Sequence, residues 1–359
     1  RPAVYVARNK DSQSVTQGQI ILDAWMSEIR ANVDELLVAF FESKLREADE
    51  LSPLSSELVT EVRDLTMRGG KRLRPIVVAA AYRAVNGPGS VRATFEVGAA
   101  LELLQTYLLI HDDWMDEDDE RRGGPAVHFV FRQRHGNPHL GASLGVLAGD
   151  LASTFSWELF WSSEFPEQRR DDALASFVRI QKEVFAGQQL DLMAADDVER
   201  MHDLKTGSYT TRGPAELGGI VAGGGERAMQ SLRDWSSPLG IAFQLRDDLL
   251  STFGTAQQTG KPGDDLRHGK NNAVVAAFHR LGSTEAGRAA LAEVWGRPEA
   301  TDEQVEHAAA ALSEARRDVE RRLEFLVDEA RSAIAASAFD GDAKAMLEEV
   351  TSRLTDRGH

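Results

Sequence analysis

Residues 19–50 read QIILDAWMSEIRANVDELLVAFFESKLREADE. Within them Ile21, Trp25, Ile29, Val33, Leu36, Leu37, Phe40, Phe41 and Leu45 return every three or four positions, the spacing of one face of an α-helix. The same spacing runs through most later segments. Asn86-Gly87-Pro88-Gly89, Gly136-Asn137-Pro138, Phe165-Pro166, Gly223-Gly224-Gly225 and Arg297-Pro298 separate them into runs of roughly 15 to 35 residues. Alternating β-branched strands joined by two-residue turns are missing. The sequence therefore predicts an all-α protein, one large helical bundle spanning 19–359 behind a polar, aperiodic arm at 1–18. No composition shift marks a second domain and no fixed period marks a repeat. The tail from Thr301 to Ala336, rich in Ala, Glu and Arg, predicts an amphipathic helix with a solvated face.

The 359 residues include 57 acids and 41 bases, a formal charge of −16, and no cysteine. Disulfides, thiolate metal sites and cysteine nucleophiles are excluded at once. A negative overall field opposes nucleic acid and anionic membrane surfaces, although a small anion answers to local charge. The most apolar stretches are Ile76–Tyr82 and Val97–Ile110, the latter interrupted by Glu102 and Gln105. Both fall short of the roughly 18 to 20 apolar residues of a membrane helix. With no secretory signal visible, the reading is a cytoplasmic protein without a stable membrane anchor.

The acids are not spread evenly. After His111, seven of the nine residues of Asp112-Asp113-Trp114-Met115-Asp116-Glu117-Asp118-Asp119-Glu120 are acidic, directly behind a nearly apolar helix. A charge run is usually a solvated face. Here Asp112 and Asp116 are four apart and share one helix face with Asp113 beside them, where carboxylates repel unless a cation joins them. All-oxygen ligands suit Mg²⁺, which commonly shares a phosphate. Arg121 and Arg122 follow in Arg-Arg-Gly-Gly-Pro, so acids for metal stand next to forks for phosphate. A second cluster, Asp247-Asp248, ends another apolar run after Phe243-Gln244, with Asp264-Asp265 in the stretch from Gly260 to Lys270. The basic counterpart is Arg68-Gly69-Gly70-Lys71-Arg72-Leu73-Arg74-Pro75, four cations in seven residues around a Gly-Gly turn, an anion site that lacks Walker-loop spacing.

In this combination and order, between about residues 59 and 272, the sequence resembles the trans (E-type) polyprenyl diphosphate synthase family, and within it a geranylgeranyl diphosphate synthase. The motifs are Gly-Gly-Lys-Arg-Leu-Arg-Pro at 69–75, DDxxD at 112–116 with Arg121-Arg122-Gly-Gly-Pro and His128, Gly187-Gln188 with Asp191, Lys205-Thr206, and Phe243-Gln244 before Asp247-Asp248. The resemblance implies an all-α isoprenoid synthase fold around a deep central cavity, a homodimer, and Mg²⁺ as cofactor, three ions per active site. It implies head-to-tail condensation of isopentenyl diphosphate with an allylic diphosphate (dimethylallyl, geranyl or farnesyl). Carried over, Asp112, Asp116 and Asp247 are the Mg²⁺ ligands, with Asp113, Asp191, Asp248 and Asp265 as further ligands or their supports. Arg121, Lys205 and Lys261 hold the allylic diphosphate; Gly70, Lys71, Arg74, Gln105 and Arg122 hold isopentenyl diphosphate; Lys270 belongs to the closing loop. Thr206 and Gln244 lie beside the reacting carbons.

Product length follows from steric argument. If the growing chain runs beside the helix ending in Asp112, then Leu108, Tyr107 and Leu104 form its floor. In the family a large aromatic five residues before the first Asp stops elongation early, so Tyr107 with the smaller Leu108 points to a C20 product, with C15 farnesyl diphosphate as the alternative. Two positions depart from the family pattern: Ser251 stands where the second motif has its third Asp, and Asn272 stands in place of a Thr after Lys270. They keep open a non-catalytic partner subunit that binds prenyl diphosphates. A class I terpene cyclase would not need the basic turn at 69–75.

Overall fold

A computed structural model of the chain describes residues 17–86, 90–255 and 263–355. The long first helix, α1 (Gln17–Leu51), starts two residues inside the expected arm, and residues 1–16 lie outside the described residues. Its inner stripe is Met26, Ile29, Val33, Leu37, Phe41, Lys44 and Ala48, and Trp25, Leu36, Phe40 and Leu45 flank it. The one cation on that stripe, Lys44, is paired with Glu47 (2.8 Å) and Glu158 (2.5 Å).

After it come α2 (Ser55–Met67), α3 (Leu73–Val85), α4 (Val91–Met115), α5 (Val127–His135), α6 (Pro138–Ser162), α7 (Arg170–Leu192) and α8 (Val198–His202). A π-helical segment, Asp203–Arg212, runs into α9 (Gly213–Val221), and α10 (Glu226–Phe253) follows. The C-terminal part comprises α11 (Asp264–His268), α12 (Ala273–Arg280), α13 (Glu285–Ala292), α14 (Asp302–Ala311), α15 (Ser313–Ala336) and α16 (Gly341–Thr355). The tail expected as one helix is thus two: Thr301 opens the first with a capping box to Gln304, and Leu312, whose ψ of 7° leaves the helical range, ends it and precedes the second. The only strands among the described residues are β1 (Glu120–Arg121) and β2 (Gly124–Pro125), an antiparallel pair that the sequence reading missed.

Two helices organise the rest. The α4 helix is apolar almost all round, burying Val97, Ala100, Leu101, Leu103, Leu104 and Ile110 against its neighbours. By length and composition it is apolar enough to cross a membrane, which the sequence reading did not credit, yet 72% of that window is buried inside the fold. The Ser156 hydroxyl of α6 donates to the Ala100 carbonyl of α4 (2.7 Å). The α10 helix joins two core clusters: Met229, Leu232, Trp235, Leu239 and Phe243 serve the N-terminal one, Ala242, Leu245 and Leu249 the C-terminal one. Trp235 Nε1 donates to Thr351 Oγ1 (3.0 Å), pinning α16 onto α10. A fully buried aromatic such as Trp235 or Phe41 contributes about 3–5 kcal/mol relative to alanine. That packing holds the C-terminal ends of α4 and α10 steady, and both carboxylate motifs sit on those ends.

Candidate active site

The first motif lies where α4 runs out. Asp116 is the residue that closes the helix, its N–H donating to the Asp112 carbonyl (2.8 Å), so the four-residue spacing survives to the last turn. Asp112 and Asp113 then part company. Asp113 is fully buried and takes Arg121 Nε on Oδ1 (2.6 Å), while Oδ2 has no partner among the described residues. Burial pushes its carboxyl up to about 6 despite the Arg121 fork. Arg121 reaches it because β1 and β2 fold back over a two-residue turn, Arg122-Gly123, with φ of 54° and 71°. Two consecutive positive φ values are the demand of a tight hairpin, which Gly meets easily and Arg122 rarely.

Asp112 faces the cavity instead. Its Oδ1 accepts from Lys205 Nζ (3.0 Å) and Gln188 Nε2 (2.9 Å), and Arg121 stands 3.8 Å from Oδ2. Burial pushes Asp112 up, but Lys205, then Arg121 and Lys270, outweigh it and hold the carboxyl below its ordinary value. Lys205 also bonds Asp191 Oδ2 (2.5 Å), and the two carboxylates raise its ammonium against the pull of burial. The π-helical segment that carries Lys205 and Thr206 comes this close to α7 only because residue 187 is Gly: a Cβ there would lie 2.2 Å from the Lys205 nitrogen. Single wide turns of this kind collect at functional sites. Lys270 Nζ reaches Asp116 Oδ2 (3.0 Å) from the opposite wall.

The second motif is built from neutral donors. Thr206 Oγ1 donates to Gln244 Oε1 (3.0 Å), and Gln244 Nε2 donates to Asp248 Oδ1 (3.0 Å). Asp248 Oδ2 accepts from the Ala273 N–H (2.8 Å) at the start of α12, and His202 Nε2 lies 3.3 Å away. Burial raises Asp248 to about 6 and lowers His202 to about 4. Asp265 accepts from Ser251 Oγ (2.5 Å) and Asn272 Nδ2 (2.9 Å); burial, then Asp248, pushes it up. Both departures from the family pattern are therefore occupied: Ser251 and Asn272 grip Asp265, and the Asn272 carbonyl oxygen caps α12 at Val274 and Val275 (3.1 Å each).

The basic turn divides by role. Arg72 points inward, paired with Glu102 (2.8 Å) and Asp34 (2.8 Å) and donating to the Thr66 carbonyl, so it serves the fold. Arg68 donates to the carbonyls of Pro125 (2.9 Å) and Arg121 (3.2 Å), fastening the hairpin to the turn. Arg74, buried, stacks over Tyr209 (4.3 Å) and donates to Thr210 Oγ1 (2.8 Å), but its Nε has no partner among the described residues. Among the described residues Arg122 makes long contacts to the carbonyls of Leu65 and Gly69 (3.4 and 3.5 Å). Burial, together with Arg74, Arg72 and Arg121, lowers its value. A buried orphan donor beside a loosely held, crowded guanidinium is a place for an anion.

One cavity of about 490 Å³ brings these groups together: Gly70, Lys71, Arg74, Gln105, Asp112, Arg121, Arg122, Asp191, Lys205, Thr206, Gln244, Asp247, Asp248, Asp265 and Lys270 all line it. Asp116 joins at the edge through Lys270, Asp113 acts from behind through Arg121, and Lys261 lies outside the described residues. A smaller pocket of about 70 Å³ opens beneath Asp112 between α4 and α7, lined by Tyr107, Leu108, Leu109, Val184, Phe185 and Tyr209 among others. Leu104 is buried in the core and lines neither space. The sequence reading also passed over Tyr209, Phe243 and His202 as wall residues, although Tyr209 follows Lys205 by four, which one turn of regular helix would have flagged.

No three Asp, Glu or His side chains converge as a closed metal site among the described residues. The carboxylates come singly or in pairs around open space, and among the described residues Asp248, buried, and Asp265, half-buried, take their hydrogen bonds from neutral donors. That donor set fits Mg²⁺, which takes one or two carboxylates and leaves its other positions to water and phosphate oxygens.

Known proteins share this arrangement. The polyprenyl synthetase family matches residues 56–312. Geranylfarnesyl diphosphate synthase of Aeropyrum pernix is 29% identical over 82% of this chain and 92% of its own length. Geranylgeranyl diphosphate synthase of Methanosarcina mazei is 31% identical over 74% of this chain and 79% of its own. The crystal structure of geranylgeranyl pyrophosphate synthase from Corynebacterium glutamicum, complexed with isoprenyl diphosphate and magnesium, superposes with a TM-score of 0.85. It is 29% identical and covers 94% of this chain and 99% of that one. With its all-α fold and both acidic motifs on one cavity, the chain belongs to the polyprenyl synthetase family and is a trans-prenyltransferase.

Proposed function

We propose that this prenyltransferase condenses isopentenyl diphosphate head-to-tail with an allylic diphosphate and stops at C20, geranylgeranyl diphosphate. The observation that carries the reading is the single cavity on which cavity-facing carboxylates from α4 and α10 oppose the cations of the 69–74 turn. Asp112, Asp116 and Asp247 hold Mg²⁺, in our reading three ions, with Asp191, Asp248 and Asp265 supporting them. Bound Mg²⁺ neutralises the allylic diphosphate as it leaves.

The chain's own groups do the rest. Arg121, Lys205 and Lys261 bind that diphosphate, and Asp113 keeps the Arg121 fork aimed at it. When the allylic C–O bond breaks, electrons pass to the diphosphate oxygen and positive charge remains on carbon; fixed cations at the leaving group lower that barrier. Gly70, Lys71, Arg74, Gln105 and Arg122 orient isopentenyl diphosphate so that its double bond attacks the allylic carbon, forming the new C–C bond. The released diphosphate accepts the proton lost from C2, so no protein nucleophile is needed. Thr206 and Gln244, hydrogen-bonded to each other, present their dipoles beside the reacting carbons.

The C20 limit is supported by Tyr107, which with Phe185 closes the small pocket under Asp112. A homodimer is supported by two exposed apolar stripes at seven-residue spacing, Val178, Phe185 and Leu192 on α7 and Leu140 and Leu147 on α6, with Trp161 further along. Labelled isopentenyl diphosphate, Mg²⁺ and dimethylallyl, geranyl or farnesyl diphosphate in turn, followed by product chromatography, test the function. Elongation ending at C20 is expected; no elongation from any primer would overturn the synthase reading, and products beyond C25 would overturn the floor.

A further inference from the structure

The Tyr107 ring does not hold itself in place. On its own helix the His111 ring sits against it edge-to-face, centroids 4.8 Å apart and planes at 69°. Across the pocket Phe185 meets it at 6.2 Å and 86°. His111 is fixed in turn, since its Nε2–H donates to the Val146 carbonyl of α6 (3.1 Å). What admits the imidazole to that position is residue 149. A Cβ on Gly149 would stand 2.2 Å from both Cδ2 and Nε2 of His111, closer than non-bonded atoms approach. Gly in the middle of α6 lowers helix stability relative to Ala, and nothing about a regular helix turn asks for it. The space left by the absent methyl is filled by the imidazole.

We propose that His111 and Gly149 are positioning residues for product length: the glycine opens a slot in α6, the histidine occupies it, and the seated imidazole locks the Tyr107 ring across the end of the pocket. Without the slot His111 swings out, the edge-to-face contact is lost, and Tyr107 gains rotamers that open the pocket toward α6. This rests on the reading of Tyr107 as the floor and extends it one layer outward.

The test is product length from farnesyl diphosphate and labelled isopentenyl diphosphate for Tyr107→Ala, His111→Ala, Gly149→Ala and the double variant His111→Ala/Gly149→Ala, with circular dichroism to verify the fold. Each single variant should extend the main product by at least one isoprene unit. The double variant should go no further than His111→Ala, because the added methyl acts only on the imidazole and coupled residues are not additive. If Tyr107→Ala lengthens the product while folded His111→Ala and Gly149→Ala keep the original length, the inference falls and the floor stands. If Tyr107→Ala leaves length unchanged, both fall. Should Gly149→Ala not fold, His111→Ala, which adds no atom, decides alone, and an unchanged product overturns the proposal. An additive double variant would also overturn it, since residue 149 would then act through another contact.

Discussion

The two aspartate pairs, Asp112-Asp113 at the end of α4 and Asp247-Asp248 near the end of α10, are arranged alike and stabilised differently. In each, the first carboxylate lines the cavity and burial pushes the second up to about 6, although Asp248 still borders the cavity where Asp113 lies behind Arg121. Around Asp112 and Asp113 the partners are permanent cations, Lys205 and Arg121, with Lys270 on Asp116. Around Asp248 and Asp265 they are neutral: an amide, a backbone N–H, a hydroxyl and a second amide. Charge on the first pair is compensated before any ligand arrives. Around Asp248 and Asp265 the hydrogen bonds among the described residues come from dipoles, with Lys270 acting on Asp265 only through its field, so that site gains more from an incoming cation. On the proposed function, the first cluster would receive a diphosphate with its metal and the second would attract metal.

That contrast breaks first at Asp112. Asp112→Ala removes the carboxylate on which Lys205 and Gln188 converge, and turnover should fall about 10²–10³-fold or more, as when a single preorganised electrostatic contact is removed. The helical circular dichroism should be unchanged, because Asp112 faces a cavity and supports no core packing. Turnover within a few-fold of the original would contradict its place in the site. Gly187→Ala acts on the same cluster from behind. The new Cβ meets the backbone of Lys205, which cannot give way as a side chain would. Overpacking of this kind costs about 1–3 kcal/mol. A lowered midpoint of thermal unfolding together with weaker binding of the allylic substrate is expected, and an unchanged midpoint would show that α7 shifts freely.

Ser251→Ala probes the second cluster alone. It deletes the 2.5 Å hydroxyl contact to Asp265 and leaves every cation of the first cluster in place. Loss of an outer partner of a metal-binding carboxylate weakens metal affinity about 10-fold or more. The Mg²⁺ needed for half-maximal turnover should rise by that factor while the Michaelis constant for isopentenyl diphosphate stays the same. A change in the latter and none in the former would place Ser251 outside metal binding.

How much of this was readable beforehand depends on whether a feature is local. The periodicity of residues 19–50 named the helix, and the stripe Met26, Ile29, Val33, Leu37 and Phe41 is buried as it requires. Charge and spacing singled out both acidic motifs and the basic turn. Direction was not readable. Nothing in Arg68-Gly69-Gly70-Lys71-Arg72-Leu73-Arg74 tells that Arg72 is tied up by Glu102, thirty positions on, while Arg74 stacks over Tyr209. The hairpin at 120–125 was hidden because Arg122 adopts a positive φ that its residue type disfavours.

The smallest and most discriminating prediction concerns acid. Asp248 is raised to about 6 by burial, so its carboxylate is fully formed only above about pH 7, and at pH 5 about a tenth of it remains. A protonated carboxyl does not support a cation. The Mg²⁺ demand of turnover should therefore be flat above pH 7 and rise about 10-fold as pH falls from 7 to 5, about 5-fold of it below pH 6. His202, 3.3 Å away, stays neutral down to about 4 and adds no competing positive charge in that window. Asp112 is held below its ordinary value by Lys205 and contributes no slope there. Asp113 titrates in the same range but lies behind Arg121 and away from the cavity. Asp248→Asn, measured by Mg²⁺ titration at each pH, should then flatten the rise while Asp113→Asn leaves it. The reverse outcome would transfer the titration to the first cluster and remove the distinction between a pair neutralised by cations and a pair awaiting one.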